Sequence, residues 1–269
     1  MRSDLIYDVG AHKGEDAEFY LLKGFRVVAI EAVPTLCDEI RVRLRSYLKS
    51  GQLTLINAAI ADTVGPITFF VNQKISVYGT AWENWAKRNE LFGAPSNKTT
   101  VNGIRFSDVL AHHGIPYYLK IDIEGSDLLC LNALKLFRSL PKYVSIESAT
   151  VRWTDALEEF SLFRELGYSK FKLVQQRDVP KQRCPNPPAE GKYVDHQFEK
   201  GSSGLFGEEV PGKWMSEREA INSYRVKFLR YRLVGDESIL WRSKYGQYFY
   251  NRYATRLLRV GWYDTHATI

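Results

Sequence analysis

The sequence predicts an α/β fold with a parallel sheet, and two observations lead to this prediction. Apolar runs alternate with amphipathic segments from residue 4 to about residue 175. Several of the apolar runs also end at acidic residues and glycines. Strands that alternate with helices form parallel sheets with right-handed crossovers, and open sheets of this kind bind ligands at the carboxyl ends of their strands. We therefore expect a ligand site at that edge of the sheet.

The first apolar run ends at Asp8 and continues through a glycine-containing loop into a helical pattern. This arrangement is typical of nucleotide-like ligand sites, although a turn without a ligand is the alternative. A dinucleotide-binding loop would have glycine in place of His12. The Asp8 carboxylate would repel a phosphate, but it suits the amino group of S-adenosylmethionine, which carries no phosphate. We predict that the residues of this stretch that bind this cofactor are Asp8, Gly10, Ala11, His12 and Gly14.

The second strand, predicted over residues 25–30, is followed by Glu31. A carboxylate at this position can accept hydrogen bonds from both ribose hydroxyls. The third strand, predicted over residues 53–60, ends in a segment that we expect to border the adenine. Its residues Asn57, Ala58 and Ala59, together with Glu31 and Ala32, complete the predicted cofactor site. The two acidic strand ends favour S-adenosylmethionine over NAD.

Turn residues and periodicity delimit the other elements. The helix over 15–23 has acidic residues in its first turn and ends at Gly24, and the helix over 35–49 has leucine or isoleucine at four-residue steps and ends at Gly51. Residues 73–100 are polar and aromatic, and we interpret them as an irregular segment that covers the ligand site or packs on the surface. The remaining predictions are strands at 67–71, 143–147, 170–174 and 193–198, and helices at 107–113, 127–140, 154–166 and, as a pair, 217–258.

Residues 117–125, Tyr-Tyr-Leu-Lys-Ile-Asp-Ile-Glu-Gly, form the second informative stretch. A buried strand that ends with Lys120, Asp122 and Glu124 needs partners for these charges at the carboxyl edge of the sheet. The alternative interpretation is a structural ion pair between Lys120 and Glu124. Along an extended strand Asp122 and Glu124 point to opposite faces, so we expect that one of them meets the substrate directly. We favour Asp122 for this role, with Glu124 fixing the loop or Lys120.

Composition sets broader limits. The chain has 269 residues, a formal net charge of +6 and three widely spaced cysteines, which favour neither a disulfide framework nor a zinc cluster. No apolar run is long enough to span a bilayer and a strand begins almost at once, so we expect a cytoplasmic protein without a signal peptide. Prolines crowd the chain after residue 175, and we predict a core over 1–175 and an extension over 176–269 that packs on it.

The chain resembles the FkbM family of S-adenosylmethionine-dependent methyltransferases. The resemblance is carried by residues 7–14, by Glu31 with Pro34, by residues 57–65, and above all by residues 119–125. It implies a class I methyltransferase (Rossmann-like) fold, with a seven-stranded, mostly parallel sheet and helices on both faces. It also implies methyl transfer, usually to a hydroxyl of a sugar, polyketide or other metabolite. This chain has His12 where many members have asparagine, and Ser126-Asp127 where they have Ala-Glu.

A hydroxyl acceptor requires a general base, because a neutral hydroxyl is a poor nucleophile. The candidates are Asp122 and Glu124 at the end of the strand, and His196 and His266, each of which follows an acidic residue. Asp122 is also predicted to lie near the methionine end of the cofactor. Asp122, Glu124 and a histidine permit a Mg²⁺ site, but nothing in their spacing requires one.

The basic, tyrosine-rich tail supports a second class of function. Basic residues mixed with aromatics can bind nucleic acid through phosphate contacts and stacking. At helical spacing, however, the aromatics more often pack inward while the arginines are solvated or contact an acidic substrate. A nucleic-acid-binding protein and an NAD-linked oxidoreductase are therefore the alternatives to an enzyme with a small-molecule acceptor. The sequence leaves a homodimer open. The residues concerned are Tyr224, Arg225, Lys227, Arg230, Tyr231, Arg232, Arg242, Tyr245, Tyr248, Tyr250, Arg252, Tyr253, Arg256 and Arg259.

Overall fold

The computed structural model describes residues 1–74, 76–91, 93–148, 153–234, 243–249, 252–253 and 262–269. By their internal contacts these residues form two compact units. The first comprises residues 1–144 and 184–196, and the second comprises residues 145–183 and 197–269. Parts of the predicted tail helices, with Arg242, Tyr250, Arg256 and Arg259, lie outside the described residues.

The described elements alternate between strands and helices through most of the chain. The strands are β1 (Arg2–Val9), β2 (Arg26–Glu31), β3 (Leu53–Asn57), β4 (Ala59–Ile60), β5 (Gly65–Asn72), β6 (Ser96–Ile104), β7 (Pro116–Ile121), β8 (Tyr143–Glu147), β9 (Lys170–Gln175), β10 (Met215–Ser216) and β11 (Tyr263–Thr268). The helices are α1 (Glu15–Leu22), α2 (Pro34–Arg43), α3 (Arg45–Ser50), α4 (Glu83–Leu91), α5 (Phe106–His113), α6 (Asp127–Leu134), α7 (Trp153–Glu165), α8 (Glu217–Val234) and α9 (Lys244–Phe249).

The sheet of the first unit has β1 at its centre. Its strand order is β7-β1-β2-β3, and these four strands are parallel. Ile6, Tyr7 and Val9 of β1 are completely buried because the strand has neighbours on both sides and packed faces above and below. The register places Asp8 opposite Ala29 of β2 and Lys120 of β7. The predicted parallel α/β arrangement is therefore confirmed.

A second, smaller sheet of this unit has the order β4-β6-β5. The predicted strand at 67–71 is confirmed as part of β5, which pairs antiparallel with β6 over eight residues. The single strand predicted over 53–60 is instead divided. The backbone N–H of Ala58 donates to the carbonyl oxygen of Glu31, after which Ala59 and Ile60 pair with β6. The chain therefore changes sheets at Ala58.

Several helix predictions need correction. The helix expected over 35–49 is two helices, because the buried Leu44 leaves the helical conformation between α2 and α3 (φ −108°, ψ 26°). The helix expected over 127–140 ends at Leu134. Residues 73–100 are not irregular throughout, since they contain the short 3-10 helix Ser76–Tyr78, all of α4 and the start of β6.

The second unit has the strand order β10-β9-β11-β8, and both β10 and β11 run antiparallel to β9. The strand predicted over 193–198 is wrong, since the described residues there are not in a strand. Its expected place is taken by β11, whose Asp264, Thr265 and His266 are all buried.

The tail of the second unit agrees only in part with the predicted inward packing of its aromatics. Tyr224 and Tyr231 of α8 are buried, whereas Tyr245, Tyr248 and Tyr253 are exposed. Within the described residues, the helices are all too short or too polar to cross a bilayer.

Candidate active site

The carboxyl ends of β1 and β7 lie in direct backbone contact. The N–H of Asp122 donates to the carbonyl oxygen of Val9 at 2.9 Å. Gly10 adopts a φ of +84°, and a β-carbon at this position would lie 1.8 Å from the carbonyl oxygen of Asp122. Gly10 is therefore required both for its backbone conformation and for the approach of the two strands. The two motifs that sequence analysis singled out are brought together here.

Lys120 is the buried cation at this junction. Its Nζ lies 3.0 Å from Asp8 Oδ1, 3.8 Å from Asp16 Oδ2 and 4.0 Å from Asp122 Oδ2, and it donates to the carbonyl oxygen of Gly10 at 2.9 Å. Burial alone would lower the pKa of the Lys120 ammonium. The carboxylates of Asp8, Asp122 and Asp16 outweigh burial and raise this pKa well above its ordinary value. Lys120 is therefore charged, and it is paired with Asp8 rather than Glu124.

Asp8 is completely buried, and burial raises the pKa of its carboxyl to about 7 although Lys120 opposes the shift. The cation that its carboxylate faces in this structure is the Lys120 ammonium. Direct contact between Asp8 and the cofactor stays a prediction. Asp122 is more open, with 29 % of its side chain exposed.

Glu31 organises the neighbouring strand end. Its Oε2 accepts the backbone N–H of His12 at 2.9 Å, and its Oε1 accepts that of Val33 at 2.8 Å. Burial raises the pKa of the Glu31 carboxyl, and these two hydrogen bonds oppose the shift. The side-chain amide of Asn57 donates to the carbonyl oxygens of Glu31 and Ala32. Each Glu31 oxygen retains capacity for a further donor, as ribose binding would need.

The loop between β1 and α1 is held by His12 and Gly14. His12 has a φ of +49°, its Nδ1 lies 3.2 Å from Glu15 Oε1, and its Nε2 lies 2.7 Å from Ser76 Oγ. Gly14, with a φ of +81°, precedes α1, and its N–H donates to the carbonyl oxygen of Ala11. Sequence analysis missed Ser76, since a contact 64 residues distant leaves no local signal.

The loop after β7 turns back on itself through Asp127. Its Oδ1 accepts the backbone N–H of Ile123 and its Oδ2 accepts that of Gly125, both at 3.0 Å. Burial raises the pKa of the Asp127 carboxyl to about 6. Glu124 has a φ of +47°, and desolvation, with the carboxylates of Asp122 and Asp127, raises its pKa well above the ordinary value. The loop therefore holds a carboxyl group with increased proton affinity.

The segment before α4 packs on this loop. Thr80 Oγ1 donates to the carbonyl oxygen of Glu124 at 2.8 Å, and Trp82 Nε1 donates to Ser126 Oγ at 2.8 Å. A β-carbon on Gly125 would lie 2.6 Å from Trp85 Nε1. The aromatic stretch that we expected either to cover the ligand site or to pack on the surface thus contacts the loop that carries Asp122 and Glu124.

The similarity of the chain to known proteins is consistent with this geometry. A family model described as the methyltransferase FkbM domain matches residues 8–170, which include both strand-end motifs and the loop after β7. The chain belongs to the FkbM methyltransferase family. The resemblance seen in the motifs is confirmed, and with it S-adenosylmethionine as the cofactor of the family.

Solved structures show distant similarity to this FkbM methyltransferase. A precorrin-6Y C5,15-methyltransferase from Geobacter metallireducens is 14 % identical, with 73 % of this chain and 77 % of that chain covered and a TM-score of 0.36. The C-terminal domain of the Rhodobacter capsulatus precorrin-6Y C5,15-methyltransferase is 15 % identical, with 65 % and 67 % covered and a TM-score of 0.37. A methyltransferase from Thiobacillus denitrificans, in complex with S-adenosyl-L-homocysteine, is 10 % identical, with 99 % and 85 % covered and a TM-score of 0.36. No curated protein matches the sequence significantly.

The first unit of this FkbM methyltransferase fits a phosphate-free adenosine cofactor. Gly10 lets the end of β1 lie against the backbone of Asp122, and Glu31 presents a carboxylate at the end of β2. Asn57, Ala58 and Ala59 follow at the end of β3, where Ala58 is hydrogen-bonded to Glu31. S-adenosylmethionine, when bound, supplies an electrophilic methyl group. The protein's own part is to hold the cofactor and the acceptor in alignment.

The two histidines predicted as bases occupy different environments. His266 lies within β11, not in a loop, and burial lowers its pKa to about 3. A group of such low basicity is a weak proton acceptor at neutral pH, which argues against His266 as the general base. The His196 ring lies 5.1 Å from the Phe19 ring of α1. Among the described residues, no three His, Cys, Asp or Glu side chains are arranged to hold a metal ion.

Proposed function

We propose that this FkbM methyltransferase transfers the methyl group of S-adenosylmethionine to a hydroxyl of a sugar or glycosylated metabolite. One observation supports the proposal: the loop directly after β7 carries two carboxyl groups, Asp122 and Glu124, and the backbone of Asp122 lies against Gly10 at the end of β1. Oxygen acceptors need a proton acceptor at the reacting hydroxyl, and this loop supplies one. In this proposal the partner of the protein is a small molecule, the methyl acceptor.

Glu124 is the proposed general base. Because its pKa is raised above that of an ordinary carboxyl, its conjugate base binds the hydroxyl proton more strongly. Asp122, with part of its side chain exposed, is proposed to accept a hydrogen bond from the acceptor or from the amino group of the cofactor. Lys120 holds the Asp122 carboxylate from the buried side.

The test is a transfer assay with S-adenosylmethionine that carries a labelled methyl group and a panel of free sugars and glycosides. The expected product is a methyl ether, which resists the mild alkaline treatment that cleaves a methyl ester. Glu124→Gln should lower kcat by about 10²–10⁴-fold, in the range typical of general bases. The wild-type kcat should rise with pH as Glu124 loses its proton, and the variant should lose this rise.

Glu83→Gln provides the matched control, because Glu83 is an exposed carboxylate on α4 that pairs only with the exposed Lys87 in the described ion pairs. It should leave kcat unchanged. Binding of S-adenosylhomocysteine, measured by calorimetry, should be equal in the wild type, Glu124→Gln and Glu83→Gln. A product methylated at carbon or nitrogen would reject the hydroxyl acceptor while leaving the family assignment intact.

A further inference from the structure

Trp82 has an exposed ring that is fixed at its polar atom. The residue is 45 % exposed although tryptophan is among the largest apolar side chains. Its Nε1 donates to Ser126 Oγ at 2.8 Å, and its backbone N–H donates to Thr80 Oγ1 at 3.1 Å. A ring held in this way loses little conformational freedom when a ligand packs against it. Trp82 is therefore preorganised for contact with a ligand.

The same two hydroxyl groups connect Trp82 to the loop of the proposed base. Thr80 Oγ1 donates to the carbonyl oxygen of Glu124, and Ser126 follows Glu124 by two residues. The ring therefore lies beside the loop that carries Asp122 and Glu124. A ligand that contacts the ring also approaches these carboxyl groups.

The charge of the loop restricts the chemistry of that ligand. Asp122, Glu124 and Asp127 provide three carboxyl groups within six residues. Two cations offset part of this charge. Lys120 is buried and already paired with Asp8, and the Arg88 guanidinium, which interacts electrostatically with Glu124, lies over the Trp85 ring at 5.1 Å from its centroid. A phosphate or carboxylate on the ligand would be repelled by the three carboxyl groups, whereas sugar hydroxyls can donate hydrogen bonds to them. The apolar C–H face of a sugar ring is complementary to an aromatic ring.

We propose that Trp82 binds the methyl acceptor by stacking its exposed indole ring on the C–H face of a neutral sugar. The hydroxyl to be methylated then lies toward Asp122 and Glu124. This inference rests on the proposed function. It adds that Trp82 is the residue that selects a sugar ring, and that the sugar is neutral.

Two variants separate this role from a purely structural one. Trp82→Ala removes the ring and the hydrogen bond, whereas Ser126→Ala removes only the hydrogen bond that fixes the ring. Trp82→Ala should raise KM for the sugar about tenfold or more, and Ser126→Ala should raise it less. Trp82→Phe, which retains an aromatic ring, should recover part of the affinity. KM for S-adenosylmethionine should not change in any of them, and Leu91→Ala, an exposed apolar residue at the end of α4, should leave both KM values unchanged.

The binding experiment uses ¹⁵N-indole-labelled protein saturated with S-adenosylhomocysteine and titrated with neutral methyl and p-nitrophenyl glycosides. The chain has six tryptophans, and the Trp82 signal is assigned by its loss in Trp82→Phe. A saturable shift of the Trp82 signal with one or more of these glycosides is expected. The matched glucuronide or sugar phosphate should bind more weakly.

The outcomes distinguish this inference from the proposed function. If a glycoside is methylated but leaves the Trp82 signal unchanged, the stacking role is rejected and the proposed function stands. If a glycoside shifts the Trp82 signal but no methyl ether forms, Trp82 binds a sugar, but the hydroxyl acceptor is rejected and with it the proposal that the stacked sugar is the methyl acceptor. If no neutral glycoside shifts the signal, or if the anionic sugars bind better, the inference is overturned.

Discussion

The backbone of Gly10 lies so close to the carbonyl oxygen of Asp122 that a β-carbon on Gly10 would be 1.8 Å from this oxygen. Gly10→Ala must therefore separate β1 from β7 and also place alanine at a φ of +84°. We expect a loss of at least about 3 kcal/mol in the free energy of unfolding, measured by urea denaturation, together with weaker S-adenosylhomocysteine binding.

Gly51→Ala is the matched control for this substitution. Gly51 has a similar φ of +75°, but a β-carbon there meets no atom within 4 Å. Gly51→Ala should lower the free energy of unfolding by about 1–2 kcal/mol, which is the cost of placing alanine in the left-handed conformation. Equal losses in the two variants would show that strand contact at Gly10 is unimportant.

Lys120→Met should destabilise the protein by about 3–5 kcal/mol because it leaves the buried Asp8 carboxylate without its cation. The loss should grow as pH rises above about 7, the pKa of Asp8 with Lys120 in place. Without the ammonium this pKa is higher still, so the folded variant keeps a proton that the folded wild type has released. Adding Asp8→Asn should restore part of the stability. The measurement is urea denaturation at a series of pH values. If Lys120→Met alone were as stable as the wild type, the ion pair between Lys120 and Asp8 would be contradicted.

Glu31→Ala should weaken S-adenosylhomocysteine binding by about 1.5–3 kcal/mol, as expected for the loss of charged hydrogen bonds. Part of the effect comes through the loop, since the backbone N–H groups of His12 and Val33 lose their acceptors. Calorimetric titration gives the affinity. Glu39→Ala, at an exposed position on α2, should bind as the wild type does, and unchanged affinity in Glu31→Ala would refute the ribose assignment.

Acid should destabilise the protein through protonation of His266 in the unfolded chain. Its pKa is lowered from 6.5 to about 3, so the unfolded chain binds a proton that the folded protein excludes. Stability is therefore fully present above about pH 6.5 and falls as pH decreases toward 3, by about 1.4 kcal/mol per pH unit from this group.

Chemical denaturation at a series of pH values measures this slope. His266→Gln should remove its share of the slope, whereas His112→Gln, at an exposed position on α5, should not. If both variants retain the wild-type slope, the acid sensitivity has another origin.

Several strands of the sheet are predictable from the sequence because their apolar runs are continuous and end at charged residues. The predicted bounds of β8 agree with the structure, and those of β2 are one residue too early at each end. The family was also identifiable, since its motifs lie within short stretches. The strand β11 was missed because Asp264, Thr265 and His266 make it look polar, although all three are buried. Periodicity cannot reveal a strand whose polar residues face the interior.

The sequence by itself determined the alternating α/β order, the charged strand ends and the FkbM motifs, because each depends on residues close together in the chain. Only the tertiary structure decided which charges pair. Lys120 meets Asp8 because the register of β1 and β7 places them opposite each other, although 112 residues separate them. The contacts of Trp82 with Ser126 and of His12 with Ser76 are likewise visible only in the tertiary structure. Such contacts follow from strand register and chain packing, which local sequence patterns do not encode.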